Sequence, residues 1–222
     1  MHFPTLVRKS AYSFLGKTLL SDKVRNFAYG WAWAHLRNLP TGTHILDIGS
    51  RDSLFPAFLA WQGYRVSVVE RDARFGDMLR TIQRRWNVRY EVHEKDFLEF
   101  DAHEKFGAIL SLFSLQHAGD DDIPAYRKSS AMLDAGGMFL SVCEYDATGT
   151  RWHRGRDDGA LRIYGPTDVE ERIERTLAAS GLTITERKIT SCTSTKRFIV
   201  GKASLDAGGY CFVCARTKRT IF

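Results

Sequence analysis

The residues best suited to chemistry near the start of the chain lie in the segment HILDIGSRDSLFP, residues 44–56. Its apolar run ends at Asp47, and Gly49, Arg51 and Ser53 follow before an apolar pattern with helical spacing begins. A glycine in a turn between a strand and a helix lets the backbone approach a ligand closely, because glycine has no Cβ. This segment therefore predicts a ligand-binding turn.

A carboxylate, Glu70, ends the next predicted strand, YRVSVVE, roughly 20 residues after Gly49, which is the offset at which an acidic residue binds a ribose diol. A dinucleotide would require further glycines in the turn to make room for its pyrophosphate. Arg51 and Ser53 occupy those places. The pattern thus favours a ligand that has a ribose and no phosphate, and S-adenosylmethionine is one such ligand.

Strands and helices alternate along the part of the chain that positions these residues. Strands are predicted in THILDIG, YRVSVVE, VRYEVHE, FGAILSLFSL and GGMFLSVCEYD, and helical patterns lie between most of them. This alternation predicts an α/β fold, doubly wound and Rossmann-like, with a mostly parallel seven-stranded sheet. LTITERKIT and YCFVCARTK, with KRFIVGKAS as a possible strand between them, have no intervening helix and predict an antiparallel C-terminal edge hairpin.

Two helical patterns, over about 5–20 and 22–38, precede the first strand. We expect residues 1–40 to form an N-terminal helical lid and residues 41–222 to form the ligand-binding domain. The first segment lacks a continuous apolar core and a small-residue cleavage site, so we expect no secretory signal. No run of apolar residues is long enough to span a membrane, and we expect a cytoplasmic protein.

The cysteines and an acidic run are candidates for metal binding. Cys143, Cys192, Cys211 and Cys214 lack the paired spacing of a zinc site, so we interpret them as small core residues in a reducing compartment. The acidic run at residues 120–122 is suited to capping a helix and complementing its dipole. We therefore expect no metal site.

Five motifs resemble those of the class I S-adenosylmethionine-dependent methyltransferases in order and spacing, and the resemblance as a whole runs over roughly residues 43–217. They are LDIGSRDS, VVERD, HEKDFLEF, FGAILSLFSLQHAGD and LDAGGMFLSVCE; Arg51 and Ser53 depart from the glycines of the first motif, and Ala135 replaces a proline in the last. The resemblance implies S-adenosylmethionine as the cofactor. The cofactor-binding residues that it implies are Asp47, Gly49, Ser50, Arg51, Glu70, Arg71, Asp96, Phe97, Ser114 and Leu115.

The same resemblance implies which part of the cofactor each of these residues would contact. Glu70 would hold the ribose hydroxyls, Asp96 the adenine amino group, and Phe97 would lie against the adenine ring. Arg51 has two alternatives: it would reach over the methionine carboxylate as a charge-assisted partner, or it would point to solvent. If Arg51 instead filled the pocket, the cofactor would bind weakly or not at all.

His117 is the candidate catalytic residue, just after the fourth predicted strand. A neutral imidazole there would take a proton from an acceptor hydroxyl during methyl transfer; the alternative is that it orders the loop by bonding to backbone. YDATGTRWHRGRDDGALRIYG is the predicted acceptor loop, with arginines that suit anions and aromatic faces that suit a sugar or ring; the alternative is a solvated loop. The candidate substrate-binding residues are Gln116, Tyr145, Trp152, His153 and Tyr164.

These features predict methyl transfer to a hydroxyl or amine of a small molecule, such as an anionic metabolite, a nucleotide sugar or a glycan terminus. The net charge of +6 keeps an RNA methyltransferase as an alternative. We do not expect nucleic acid as a partner, because no Asn-Pro-Pro-Tyr-type motif and no separate RNA-binding segment is visible. A non-catalytic binding protein on the same fold is the third alternative, since a fold does not fix a function.

Overall fold

The computed structural model divides the chain into two compact units, residues 1–39 and 40–222. The first contains helix α1 (Lys23–Leu36), and the lid role predicted for residues 1–40 stays a prediction. The helical pattern predicted at 5–20 lies outside the described residues, as does Cys192. The described residues are 23–154, 160–191, 197–200, 203–206 and 209–218.

The first half of the second unit alternates strands and helices as predicted. Short 3₁₀ turns at Phe97–Glu99, Leu115–His117 and Gly119–Asp121 follow its third and fourth strands. The longer elements are β1 (His44–Ile48), α2 (Phe55–Trp61), β2 (Arg65–Val69), α3 (Ala73–Trp86), β3 (Glu91–His93), β4 (Phe106–Leu112), α4 (Asp122–Ala131) and β5 (Leu133–Tyr145).

The second half is richer in strands. A single helical stretch over residues 166–179 contains a π-helical segment at Val169–Glu174. The other elements are β6 (Arg151–Arg154), β7 (Ala160–Ile163), α5 (Pro166–Asp168), α6 (Arg175–Ala179), β8 (Leu182–Ser191), β9 (Arg197–Val200), β10 (Ala203–Asp206) and β11 (Gly209–Thr217).

Seven strands form the main sheet, in the order β3-β2-β1-β4-β5-β11-β8. Neighbouring strands from β3 to β5 are parallel, whereas β11 runs antiparallel to both β5 and β8. This arrangement confirms the predicted fold class, including the antiparallel pair at the C-terminal edge. The predicted strand in KRFIVGKAS contributes β9, which pairs with β10 in a separate two-stranded sheet.

The core of the second unit lies against the central strands, whose side chains are buried on both faces as in other parallel sheets. Leu46, Ile109 and Phe139 are each fully buried and belong to one apolar cluster. Cys143 and Cys211 belong to the same cluster, and both carry free thiols. The prediction of core cysteines is thus confirmed for these two, and Cys214 is likewise buried and free.

The segment predicted as an irregular acceptor loop is partly a β-hairpin, so that prediction was wrong for its described part. Strands β6 and β7 pair antiparallel, with Trp152 opposite Arg162. The strands are short, and their polar residues hide the alternation by which a strand is recognised from sequence. None of the described helices is both long enough and apolar enough to cross a membrane.

Candidate functional site

The turn after β1 lies at the carboxyl end of the parallel strands, where α/β sheets bind ligands. Gly49 has a φ of 67°, and its amide donates to Val69 O over 2.8 Å. A Cβ on Gly49 would lie 2.8 Å from Ser114 Cβ on the neighbouring β4 turn. The position therefore requires glycine both for its backbone conformation and for the close approach of the two turns.

Asp47 lies behind this turn and is 3% exposed. Burial raises the pKa of Asp47 to about 7, the negative charge of Glu70 adds to the rise, and a hydrogen bond from Ser50 Oγ opposes it. Neither Asp47 nor Ser50 lines the cleft described below. Both residues support the turn from within, and the cofactor contact predicted for them stays a prediction.

Glu70 ends β2 and is held by two backbone amides. Its Oε2 accepts from the amide of Arg51 at 2.9 Å, and its Oε1 accepts from the amide of Asp72 at 3.1 Å. A carboxylate has about four acceptor positions, so each oxygen of Glu70 keeps one for a ligand. Although only 5% exposed, Glu70 faces an open cleft, and the two amides fix its orientation there.

The cleft has a volume of about 300 Å³ and collects most of the residues that the sequence singled out. It runs from the end of β1 past β2 and β3 to the turns after β4. The predicted residues that line it are Gly49, Arg51, Glu70, Arg71, Asp96, Phe97, Ser114, Leu115 and His117.

Asp96 and Phe97 form the wall at the end of β3. Asp96 Oδ1 accepts from the amide of Leu98 at 2.8 Å, which begins the 3₁₀ turn and leaves Oδ2 for another donor. The Phe97 ring is 8% exposed, and Lys128 Nζ lies 5.7 Å from its centroid. Lys128 also donates to Leu98 O at 2.7 Å, so the turn and the ring are held together.

Arg51 lies against the wall of the cleft. Its φ is 51°, an uncommon value for a residue with a Cβ. The guanidinium carbon lies 4.6 Å from the centroid of Phe75, a cation–π distance. Arg51 is exposed while it lines the cleft, so part of its side chain faces solvent, and the alternatives considered from sequence stay open.

His117 is presented to the cleft by the turn after β4. Phe113, with a φ of 65°, reverses the chain, and its amide donates to Val142 O over 2.8 Å. The amide of His117 then donates to Ser114 O over 2.9 Å, which closes the turn. The backbone thus places His117 at the cleft.

The predicted substrate residues divide into buried and exposed ones. Gln116, Tyr145 and Tyr164 are at most 7% exposed, and the substrate contacts predicted for them stay predictions. The side-chain carbonyl of Gln116 accepts from the amide of Glu144 and so ties the β4 turn to β5. Trp152 is 45% exposed, and the side chain of His153 lies outside the described residues.

A buried ion cluster lies beside the cleft, and sequence reasoning missed it. Asp122 is fully buried and accepts from Arg172 Nε at 2.9 Å and from the Tyr164 hydroxyl at 2.8 Å. Arg162 donates to Asp168 and to Asp120, each over 3.1 Å. The only sequence signal was an acidic run followed, some way on, by scattered arginines.

The capping role predicted for the acidic run is only partly present. Asp121, at the N-cap position of α4, makes no side-chain capping hydrogen bond, and Asp122 accepts from the amide of Ile123 at 2.8 Å. Asp122 instead directs most of its contacts to the arginines, because its carboxylate is buried and requires charged partners. Among the residues that the structure describes, no cluster of His, Cys, Asp and Glu could hold a metal.

No family model matches the chain, and no curated protein sequence matches it. Solved structures, in contrast, are similar to the chain. A 1,6-didemethyltoxoflavin-N1-methyltransferase of Burkholderia thailandensis, with S-adenosylhomocysteine bound, has a TM-score of 0.68 at 19% identity, over 95% of this chain and 85% of that one. The N-methyltransferase NodS of Bradyrhizobium japonicum, also with S-adenosylhomocysteine, has a TM-score of 0.63 at 20% identity, over 87% and 86%.

A third structure, the [4+2]-cyclase SpnF, has a TM-score of 0.67 at 18% identity, over 86% of this chain and 81% of that one. The chain therefore has the fold of the class I S-adenosylmethionine-dependent methyltransferases. At these identities the likeness establishes the fold, and the activity has to be argued from the site.

Proposed function

We propose that this chain is an S-adenosylmethionine-dependent methyltransferase that acts on a nitrogen or oxygen atom of a small molecule. The observation that carries the proposal is the carboxylate of Glu70, which two backbone amides orient toward the cleft beside the Gly49 turn. This arrangement suits a ribose diol, which needs two acceptors held in fixed positions.

The residues along the cleft fit the parts of this cofactor in order. Glu70 would accept the ribose hydroxyls, Phe97 would cover the adenine ring, and Asp96 Oδ2 would accept from the adenine amino group. The missing side chain of Gly49 lets its turn approach the Ser114 side chain, and both residues line the cleft where the methionine part would lie. When bound, S-adenosylmethionine supplies a methyl group on a sulfonium, which is already activated for transfer.

The protein therefore has to orient the acceptor, exclude water and, for a hydroxyl acceptor, remove a proton. His117 lines the same cleft as Glu70 and is fixed by its backbone. As a neutral imidazole it would take the acceptor's proton as the methyl group leaves. An amine that is already neutral would need no such base, and His117 would then only orient it.

A first experiment measures the thermal unfolding of the chain with S-adenosylhomocysteine. A ligand that binds only the native state adds about 2.7 kcal/mol at a concentration of a hundred times its Kd. Labelled S-adenosylmethionine with a set of small amines and phenols then tests turnover. Turnover has to be measured because the likeness to a cyclase means that cofactor binding does not prove methyl transfer.

Glu70→Ala tests the site itself. The loss of hydrogen bonds to a charged acceptor should weaken S-adenosylhomocysteine binding by about tenfold to a hundredfold. Glu91→Ala is the matched control, since Glu91 is an acid on the adjacent strand β3 with a mostly exposed side chain. Equal affinities in the two variants would place the ribose elsewhere and remove the main support for the proposal.

A further inference from the structure

We propose that Asp121 selects amines as methyl acceptors, by binding the acceptor as an ammonium ion at the end of the cleft where His117 lies. The inference rests on the proposed function and names its substrate class, a primary or secondary amine that carries a positive charge in water. It starts from a carboxylate that lines the cleft and that the fold leaves exposed.

Asp121 and His117 are presented to the cleft by one continuous stretch of chain. Two successive 3₁₀ turns end at these residues, and the amide of Asp121 donates to Ala118 O over 3.1 Å. Ala118 and Ala125 line the cleft together with them. Because residues three or four apart share one face of a helical stretch, the carboxylate and the imidazole lie on the same wall.

Helix α4 does not use the Asp121 carboxylate. Asp121 is at its N-cap position, but a φ of −81° and a ψ of 3° are not the extended values of a capping residue, and the side chain makes no capping hydrogen bond. An ionised carboxylate has about four acceptor positions. Asp121 therefore keeps these positions for a partner in the cleft.

Two arginines of the neighbouring ion cluster are directed to other carboxylates. Arg162 donates to Asp120 over 3.1 Å, and Arg172 Nε donates to Asp122 over 2.9 Å. The ion pairs formed among the described residues leave Asp121 without a cationic partner. Its negative charge is therefore available to a cation that enters the cleft.

The charged residues of the cleft are distributed unevenly along it. The cations belong to the segments that follow β1, β2 and β3, and they are Arg51, Arg71, Arg74 and Lys95. The wall after β4 is apolar or uncharged around His117 and Asp121, and it contains Phe113, Ser114, Leu115, Ala118 and Ala125. A carboxylate in such surroundings attracts a cation and repels an anion. This argues against the anionic acceptor that the arginines of residues 145–165 suggested.

An ammonium ion has to lose a proton before it accepts a methyl group, because its nitrogen has no lone pair. Asp121 would hold the ammonium while the imidazole of His117 takes the proton. The nitrogen lone pair then forms the new N–C bond as the C–S bond of the methyl donor breaks, and the electron pair of that bond stays on sulfur. The methylated nitrogen is again positive, so it stays paired with Asp121 until the product leaves.

The experiment uses pairs of acceptors that have nearly the same shape and differ in charge: 2-phenylethylamine with 2-phenylethanol, and butylamine with butan-1-ol. Calorimetry in the presence of S-adenosylhomocysteine gives Kd without turnover, and labelled S-adenosylmethionine gives kcat and KM. The variants are Asp121→Asn, which removes the charge at nearly constant size, and Asp121→Glu, which keeps it. Asp134→Asn is the control, because Asp134 is an exposed aspartate near the start of β5 that does not line the cleft.

We expect each amine to bind more tightly than its alcohol. Asp121→Asn should raise Kd and KM for the amines by about tenfold, as the loss of one charge-assisted hydrogen bond does, and should leave the alcohols unchanged. Asp121→Glu should retain most of the affinity for amines, and Asp134→Asn should change nothing. A merely structural aspartate would not affect amines and alcohols differently.

Three results overturn the inference while leaving the proposed function intact. The first is that neither amine binds more tightly than its alcohol, the absence of measurable binding included. The second is that Asp121→Asn weakens both members of a pair equally. The third is that Asp121→Asn weakens S-adenosylhomocysteine itself, which would assign the carboxylate to the amino group of the cofactor. Failure of S-adenosylhomocysteine to bind the wild type would instead contradict the proposed function, so the two kinds of failure are distinguishable.

Discussion

The two sides of the cleft are held together in different ways. On the side of β1 and β2, a carboxylate accepts from backbone amides near it in sequence: Glu70 takes its bonds from residues 19 and 2 positions away. On the side of α4 and β7, charged side chains meet across 42 positions, between Arg162 and Asp120, and across 50, between Arg172 and Asp122.

This difference has a physical consequence for substitutions. Backbone amides keep their positions when one side chain is changed, so the β1–β2 side loses only the interaction that is removed. In the ion cluster, the removal of one charge leaves its buried partners without compensation. The β1–β2 side should therefore tolerate substitution with modest losses, and the cluster should not.

The largest effect is expected at Asp122. Asp122→Ala removes the carboxylate that Arg172, Tyr164 and Arg162 face and should lower the free energy of unfolding by about 3–5 kcal/mol. Asp101→Ala is the control, since the Asp101 side chain is 98% exposed and its ion pair with Lys128, at 3.7 Å, lies in solvent. Urea unfolding measures the free energy of unfolding of both variants. If Asp122→Ala lost no more stability than Asp101→Ala, the two sides of the cleft would not differ in their tolerance of substitution.

The second prediction concerns Asp47, the buried acid on the β1–β2 side. Its pKa is about 7 in the folded chain against an ordinary value of 3.8, so between about pH 4 and 7 the native state holds a proton that the unfolded state has released. Asp47 therefore contributes stability at low pH that is lost progressively as the pH rises from about 4 to 7, by about 4 kcal/mol in total.

Asp47→Asn removes that titration, because asparagine stays neutral. The free energy of unfolding of the variant minus that of the wild type should increase from pH 5 to pH 8 in a series of urea titrations. Asp101→Asn should give a flat difference. Parallel pH profiles for Asp47→Asn and the wild type would show that Asp47 is ionised at every pH tested. That result would contradict a pKa raised by burial.

The third prediction concerns His117, the candidate general base. His117→Gln should reduce turnover about a hundredfold if the ring is the general base, with S-adenosylhomocysteine affinity unchanged. His103→Gln, at an exposed histidine before β4, is the control. Joint loss of stability and cofactor affinity would make His117 a structural residue of the turn.

The smallest effect separates conformational strain from crowding on the β1–β2 side. Gly49→Ala and Gly42→Ala both place a Cβ at a positive φ, which costs about 1 kcal/mol or more. Only the first also forces a Cβ against Ser114, since nothing lies within 4 Å of the position at Gly42. Gly49→Ala should therefore be the more destabilising of the two by thermal unfolding, and equal losses would mean that the two turns are not in close contact.

The sequence predicted the β1–β2 side well because its signals are local. A strand that ends in an acid is followed by a glycine and, at a fixed offset, by a second acid. This local pattern predicts the turn, and Gly49 and Glu70 do line one cleft. The side of β6 and β7 was predicted poorly because its contacts are long-range. Nothing near Arg162 in sequence indicates that Asp120 will neutralise it, so its charge was interpreted as available to a substrate.

The position of β11 bears on how the chain is completed during synthesis. Strand β11 lies between β5 and β8 and joins the main sheet to its last strand. While the chain is still emerging from the ribosome, β8 has no partner, and the edge of β5 is open until residues 209–217 have been translated. An unpaired strand edge of this kind is a template for aggregation, so a nascent chain that stalls before β11 should bind chaperones.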